Sequence, residues 1–303
     1  MIFGKMSFEN PPAFFRDMHQ WLATLPDNFL LDSITSSRGS YFRIEQKNGR
    51  ELILFPKIIL GLEPDESEDP IVKTQKSEEE KSVVLWEDLW CSKQKIVQSR
   101  LKALLGISER IPARLTQVRR LDRPTTLRFL QKNHLQDAVI SKYKYGLFLP
   151  EKYFRVLESP PKTQELLVAV ATFARPRLFE RAGEPHRSYE LVRFANLLNT
   201  TVVGGLDKLL SHFAKEHQPD DLMTYADLEW SSGHSYQNLG FRPQGDTPPQ
   251  EFWVDPATMD RYSANRLPDG ITGENAREHG FVKIKNAGSR KFVKNFYHQT
   301  PSP

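Results

Sequence analysis

Residues 189–241 carry the side chains and glycines that could do chemistry at close spacing. A strand pattern near 189–194 leads through Thr201 and Val203 into the adjacent pair Gly204-Gly205, and an amphipathic helix pattern follows at 205–216. A strand that feeds a glycine turn and a helix start presents backbone N–H groups to an anion. Thr201, Val203, Gly204 and Gly205 are therefore the candidate holders of a phosphate-bearing ligand. The same two glycines would also suit a plain tight turn from strand into helix. A second strand pattern at 221–226 runs into Asp227, a position where open α/β sheets meet ligands, or where a side chain caps the next helix. Ser231 and Ser232 read as helix N-caps. Tyr236, close to His234 in a short polar helix at 233–239, offers either an acidic phenol or an amphipathic ring with a wet hydroxyl. Strand alternation places Glu190 opposite Leu191, as a base or as part of a solvated face.

Other chemistries find little support. No two histidines stand at metal-ligand spacing, so no zinc site is expected. No Ser or Cys occupies a nucleophile-elbow setting. The single cysteine, Cys91, excludes an intrachain disulfide framework and points to a reducing, cytoplasmic setting. No apolar run approaches the roughly 18 residues that span a bilayer, and charged residues interrupt any secretory pattern at the start.

The elements that must position these residues follow from periodicity. A helix is expected at 12–25, with Phe14, Met18, Trp21 and Leu22 at helical spacing, then strands at 29–34, 41–44 and 51–55 around a turn at 47–50. Residues 63–81 read as an exposed acidic and polar linker. A buried strand at 82–86 precedes a helix capped by Ser92 and stopped by Gly106. From residue 110 strands and helices alternate: strands near 113–118, 145–149, 166–173, 189–194, 221–226 and 252–254, helices near 125–133, 205–216 and 233–239. A strand-turn-strand pattern closes the chain at 281–296. This order implies an α/β domain with a mixed central sheet at 110–300. Before it stands a smaller α+β region at 1–62, completed by the strand and helix at 82–109.

The formal net charge of +4 over 303 residues permits contact with nucleic acid. Lys93, Lys95, Arg100 and Lys102 would line one basic helix, with Arg119 and Arg120 following, and could track a phosphate backbone or form a solvated face. A second basic patch, Lys283, Lys285, Arg290, Lys291 and Lys294, has Phe281, Phe292 and Phe296 interleaved.

The order of elements, together with Ser235-Tyr236-Gln237-Asn238-Leu239-Gly240-Phe241, resembles the GNAT acyltransferase fold. That resemblance implies an acetyl-CoA or other acyl-CoA donor, Tyr236 as general acid toward the departing thiolate, and Glu190 or Asp227 as general base. It departs from the family at the pyrophosphate turn. There Thr201-Val202-Val203-Gly204-Gly205-Leu206 replaces the usual Gln/Arg-x-x-Gly-x-Gly/Ala. A longer likeness joins Leu85-Trp86-Glu87-Asp88-Leu89-Trp90, Asn133-His134-Leu135-Gln136, Leu198-Asn199-Thr200, Tyr225-Ala226-Asp227 and Trp230-Ser231. In that order they are similar to phage-borne Hef-like homing endonucleases, in which a nuclease half precedes a GNAT-like half. It implies a phage or mobile-element lineage and a first region derived from a PD-(D/E)XK-type endonuclease. The best match to a nuclease core is Asp32 with Glu45 and Lys47, which could bind a divalent metal. Lys47 opens a turn, however, so group transfer is expected rather than cleavage. Ala226-Asp227 with Gly233, Tyr236 and Phe241 is also similar to the Mu-type protein that modifies adenine in DNA. The leading expectation is a group transferase, its acceptor a nucleic-acid base. The rival is a DNA-binding protein whose GNAT-like domain does no catalysis.

Overall fold

The computed structural model describes residues 12–36, 39–47, 49–59, 80–181 and 183–296. Most of the expected linker, 63–79, lies outside them, as does Asn48 of the first turn. Along the chain run α1 (Ala13–Leu22), β1 (Phe29–Ser36), β2 (Gly39–Gln46), β3 (Glu51–Lys57), β4 (Glu80–Trp86) and α2 (Glu87–Leu104). Next come β5 (Glu109–Pro112), β6 (Gln117–Arg120), α3 (Arg123–Asn133), β7 (Tyr143–Pro150), β8 (Glu165–Phe173), β9 (Arg177–Arg181) and β10 (Glu184–Asn196). The chain continues with β11 (Thr200–Val203), α4 (Gly205–His217), β12 (Asp221–Asp227), α5 (His234–Asn238) and β13 (Arg242–Asp246). It closes with β14 (Glu251–Asp255), β15 (Asp260–Tyr262), β16 (Val282–Lys285) and β17 (Ser289–Asn295).

Two compact units emerge. The first is Met1–Gln94 with Leu228–Ser231 and Pro248–Gly288; the second is Lys95–Asp227 with Ser232–Thr247 and Ser289–Pro303. The division differs from the expected one, which kept 82–109 with the first region and 110–300 as one domain. The physical reason is strand pairing. The closing strand-turn-strand is no hairpin: β16 pairs with β14, whereas β17 lies between β12 and β13.

In the first unit, β1, β2, β3 and β4 form a sheet in that order, antiparallel except for the parallel β3–β4 pair. Helix α1 buries Phe14, Met18 and Leu22, as its spacing predicts, together with Phe15, whereas the expected Trp21 is half-buried. Asp17 on the same helix accepts from Trp90 Nε1 at 2.7 Å. The helix expected to be capped by Ser92 begins earlier, at Glu87, and loses helical geometry at Lys93 (φ −132°, ψ 32°). Ser92 Oγ donates instead to the Asp88 carbonyl at 2.6 Å. The buried Asp88 carboxylate takes both Arg261 contacts, at 2.7 and 2.8 Å, so β15 is tied to α2 by a bidentate ion pair. Trp86 Nε1 donates to Glu229 at 2.8 Å.

The second unit has the α/β architecture with a mixed central sheet that the alternation of elements implied. Its sheet order is β13-β17-β12-β10-β8-β7-β6, with β9 added on β10. Every neighbouring pair is antiparallel except β10–β12, which is parallel and joined by a crossover that contains α4. Phe213 of α4 stacks on Phe173 of β8 at 3.9 Å and 10°. Around that pair Tyr145, Leu147, Tyr189, Leu191, Leu209, Leu222 and Phe292 complete one core. Helix α3 packs Phe129 and Leu130 against Val170 and Ala195 in a separate cluster.

Candidate active site

Two parallel strands part at the centre of the second unit. The β10–β12 ladder runs from Ser188 with Asp221 to Glu190 with Met223 and stops there, although β10 continues to Asn196 and β12 to Asp227. On its other side β10 shifts register against β8 between Leu191 and Arg193, a bulge at Val192. Thr224 Oγ1 bridges the head of the split by donating to the Leu191 carbonyl at 3.0 Å. Beyond it, among the described residues, the edge of β10 that faces β12 has no ladder partner. A strand edge left open inside a sheet is a place for an extended ligand to pair with backbone groups.

Tyr236 stands at this split. Gly233 takes the left-handed conformation (φ 81°) that opens α5, and an added Cβ there would lie 2.2 Å from the Phe292 ring. The Tyr236 ring packs at 5.7 Å from both Phe241 and Phe292. Thr224 lies near enough to its hydroxyl to influence its proton. Burial pushes the Tyr236 pKa up, partly offset by Thr224 and by the charge of Arg100. The phenol thus keeps its proton at neutral pH and is chemically able to give it away.

Arg100 was expected on a nucleic-acid-facing helix surface. Its guanidinium instead lies within electrostatic reach of Asp227 and Tyr236: burial lowers its pKa, and Asp227 then Tyr236 raise it. Asp227 and Tyr236 thus both act on the charge of Arg100. Glu190 does not. Tyr189 and Leu191 belong to the core cluster that Tyr236 packs against, so alternation turns Glu190 to the other face. No hydrogen bond or ion pair joins Glu190 to Tyr236.

The glycine turn is more ordered than the sequence suggested. Thr200–Val203 form a parallel ladder with Glu109–Pro112, so Thr201 and Val203 sit in a strand and not in an open loop. Thr201 Oγ1 is 2.6 Å from Ser108 Oγ. Gly204 has φ 75° and stands at the N-cap of α4, where a Cβ would meet only Ala113 Cβ at 3.7 Å. At Gly205 a Cβ would lie 2.9 Å from Val202 Cβ, so close packing demands a glycine. Lys208 N is the first amide of α4 to find an acceptor within the turn, on Gly204 O at 3.0 Å. The amides of Gly205, Leu206 and Asp207 precede it and have no partner within the helix. Lys208 Nζ donates to the carbonyls of Ala113 at 2.9 Å and Thr116 at 2.5 Å, pinning the turn from below. Sequence reasoning missed Thr224 and Lys208. Their signal is spacing: a hydroxyl three residues before Asp227, and a lysine four after Gly204.

The remaining candidates are dispersed. Lys95 is exposed, Lys93 marks the break in α2, and Lys102 is half-buried. Arg119 is ion-paired with Glu165 and lies 3.8 Å over the Phe148 ring, and Arg120 is ion-paired with Glu216. Both arginines have much of their charge already matched. In the first unit Asp32, Arg43, Glu45 and Glu51 share one face of the sheet. Arg43 pairs with Glu51 and, at 3.6 Å, with Glu45, so a guanidinium already engages one of the two acids that could have bound a metal. Among the described residues no group of three metal-ligating side chains converges.

No protein-family model matches the chain, and no curated protein does. Solved structures overlap it in part. One is a histone acetyltransferase HPA2 and related acetyltransferase from Corynebacterium glutamicum, at 12% identity, 61% of this chain, 99% of that one and a TM-score of 0.34. Another is a KacTA–DNA complex, at 19% identity, 43% of this chain, 87% of that one and a TM-score of 0.29. A third is the NatC complex bound to Gag peptide and CoA, at 10% identity, 60% of this chain, 99% of that one and a TM-score of 0.32. Likeness at this level leaves function to the site itself.

Proposed function

We propose that the second unit is a GNAT-class group transferase that takes an acyl group from a CoA-type donor. The observation that carries this reading is the parting of β10 from β12 after Glu190 and Met223, with Tyr236 and Thr224 at its head. The residues fit such a donor. Its phosphates would meet the amides of Gly205, Leu206 and Asp207 at the start of α4, which have no backbone acceptor among the described residues, with Gly204 leaving the approach open. Its extended arm would lie along the unpaired edge of β10 from Val192 onward. When bound, the donor supplies an acyl group activated as a thioester.

The side chains at the split have separate tasks. Tyr236 holds a proton on its phenol, kept there by burial, for delivery to a leaving thiolate. Arg100 supplies a fixed positive charge beside that phenol and stabilises the anion that proton loss would leave. Asp227 is the better placed base of the two candidates, since Glu190 faces away from Tyr236. A nucleic-acid base as acceptor, and descent from a phage or mobile element, belong to this proposal through the Hef-like and Mu-type sequence likeness. A second reading, a DNA-binding module without catalysis, is favoured by the β5–β11 ladder, which replaces the open pyrophosphate turn usual in the family.

The test incubates acetyl-CoA with a single-stranded oligonucleotide and follows both free thiol and the oligonucleotide mass. The proposal expects thiol release and a mass gain of one acetyl group, both lost in Tyr236→Phe. Unchanged turnover in Tyr236→Phe would overturn the role of the phenol.

A further inference from the structure

The β9–β10 hairpin went unread in the sequence, because Arg177-Leu178-Phe179-Glu180-Arg181 lacks the alternation of a half-buried strand. Every residue of β9 is exposed. It pairs with β10 from Arg177 opposite Ser188 to Arg181 opposite Glu184, and among the described residues it has no strand on its other side. Alternation divides the ribbon into two faces. One face carries Arg177, Phe179 and Arg181 from β9, with Ser188, His186 and Glu184 opposite them. Leu178 and Glu180 point the other way, with Arg187 and Pro185.

The first face is built as a platform. Phe179 is 46% exposed between two arginines at strand spacing. The His186 ring lies 4.9 Å from Phe179 at 44° and is fixed from behind by Asp221 Oδ2 at 2.7 Å from its Nε2. Asp221 is itself buried and accepts from Ser188 Oγ, so the support is anchored in the central sheet. Among the described residues the side chains of Arg177 and Arg181 enter no hydrogen bond or ion pair, and neither does that of Arg175 just before the strand. Glu184 faces Arg181 across the ladder without an ion pair. Arg119, Arg120 and Arg187, by contrast, are matched by Glu165, Glu216 and Asp220.

An exposed aromatic ring flanked by unmatched guanidinium groups is the arrangement that binds a single strand of nucleic acid. Bases stack on the ring, and the cations meet phosphates on either side. We infer that the β9–β10 ribbon is a single-stranded nucleic-acid contact surface, with Phe179 as the stacking residue and Arg177 and Arg181 as the phosphate contacts. An apolar protein or lipid surface would not call for this density of unpaired arginine. The inference stands on the ribbon's own residues and holds whether or not a CoA-type donor binds.

The test measures fluorescence anisotropy of a labelled mixed-sequence single-stranded oligonucleotide across a salt series. The wild-type chain is expected to bind, with affinity falling as salt rises. Phe179→Ala should weaken binding roughly tenfold, the loss of one base–aromatic stack, with the salt slope unchanged. Arg177→Ala with Arg181→Ala should flatten the slope by about 1.4, from about 0.7 per phosphate contact on a single strand. Leu178→Ala, on the opposite face, should leave both unchanged, and thermal melts of the four proteins should coincide. Wild-type affinity in both platform variants would overturn the inference. So would absence of binding at low salt, or equal binding to a duplex with no effect of Phe179→Ala. Self-association lost in Phe179→Ala, seen by sedimentation without oligonucleotide binding, would assign the edge to a second copy and also overturn it.

Discussion

Gly233→Ala is expected to unfold the site from its hinge. Gly233 holds a φ of 81°, where an L-residue costs about 1 kcal/mol relative to glycine. Its added Cβ would stand 2.2 Å from two atoms of the Phe292 ring. Phe292 is fully buried between β12 and β13 and cannot swing away, so overpacking adds about 1–3 kcal/mol. The expected total is about 2–4 kcal/mol. Gly240 closes the same helix with a φ of 83°, but its nearest neighbour is the flexible end of Lys294 at 3.8 Å. Gly240→Ala should therefore cost only the backbone share, about 1 kcal/mol. Urea denaturation followed by far-ultraviolet circular dichroism measures both. Combining Gly233→Ala with Phe292→Leu should cost about 1–2 kcal/mol less than the sum of the single changes, because the leucine vacates the contact. Equal costs for the two glycine changes, or strict additivity with Phe292→Leu, would refute the claim that Phe292 sets the position of α5.

Burial raises the pKa of Tyr145, Tyr189 and Tyr236. Raised values favour the protonated form in the folded state, so this stabilisation is intact below the ordinary tyrosine range near 10 and is lost as pH rises through the folded values. Alkaline titration at the tyrosinate absorbance band should show a late class that shrinks in Tyr236→Phe; titration of all tyrosines in one ordinary step would contradict it. Burial lowers the pKa of His212 and His217, so their contribution is present above the ordinary histidine value near 6.5 and fades as pH falls below it. Melting temperature should decline on acidification through that window, and less so in a His212→Gln, His217→Gln double variant. Lys208→Met removes two charged hydrogen bonds to carbonyls that then have no donor, and is expected to cost about 1.5–3 kcal/mol by urea denaturation. A change under half a kcal/mol would show that solvent replaces the ammonium freely.

The sequence made the second unit legible because its elements are periodic and its turns are marked. Helix α4 shows an apolar stripe of Leu209, Leu210 and Phe213, and β8 is an apolar run between turns. What the sequence concealed was pairing. A strand's partner depends on distant residues, so β16 and β17 looked like one hairpin, although they join different sheets. β9 escaped notice because both of its faces are wet, and β11 because four residues carry little pattern. At the site, the chain spelled out Tyr236, Asp227 and the glycine turn. It could not show that Arg100, more than a hundred residues before them in the chain, would turn toward Tyr236 and Asp227, since a buried arginine and a solvated one read alike. Glu190 was separated from Tyr236 by alternation alone, which its own neighbours Tyr189 and Leu191 already implied.

The donor site is tested most directly by calorimetric titration of the chain with acetyl-CoA, beside a Gly204→Asp variant. Aspartate tolerates the left-handed backbone at Gly204 and is a favourable helix N-cap, so the variant should melt with the wild type. Its carboxylate would stand where the donor's phosphates need free amides. The wild-type chain should bind saturably and Gly204→Asp not at all. Equal binding by both, or no heat from the wild-type chain at millimolar acetyl-CoA, would contradict it.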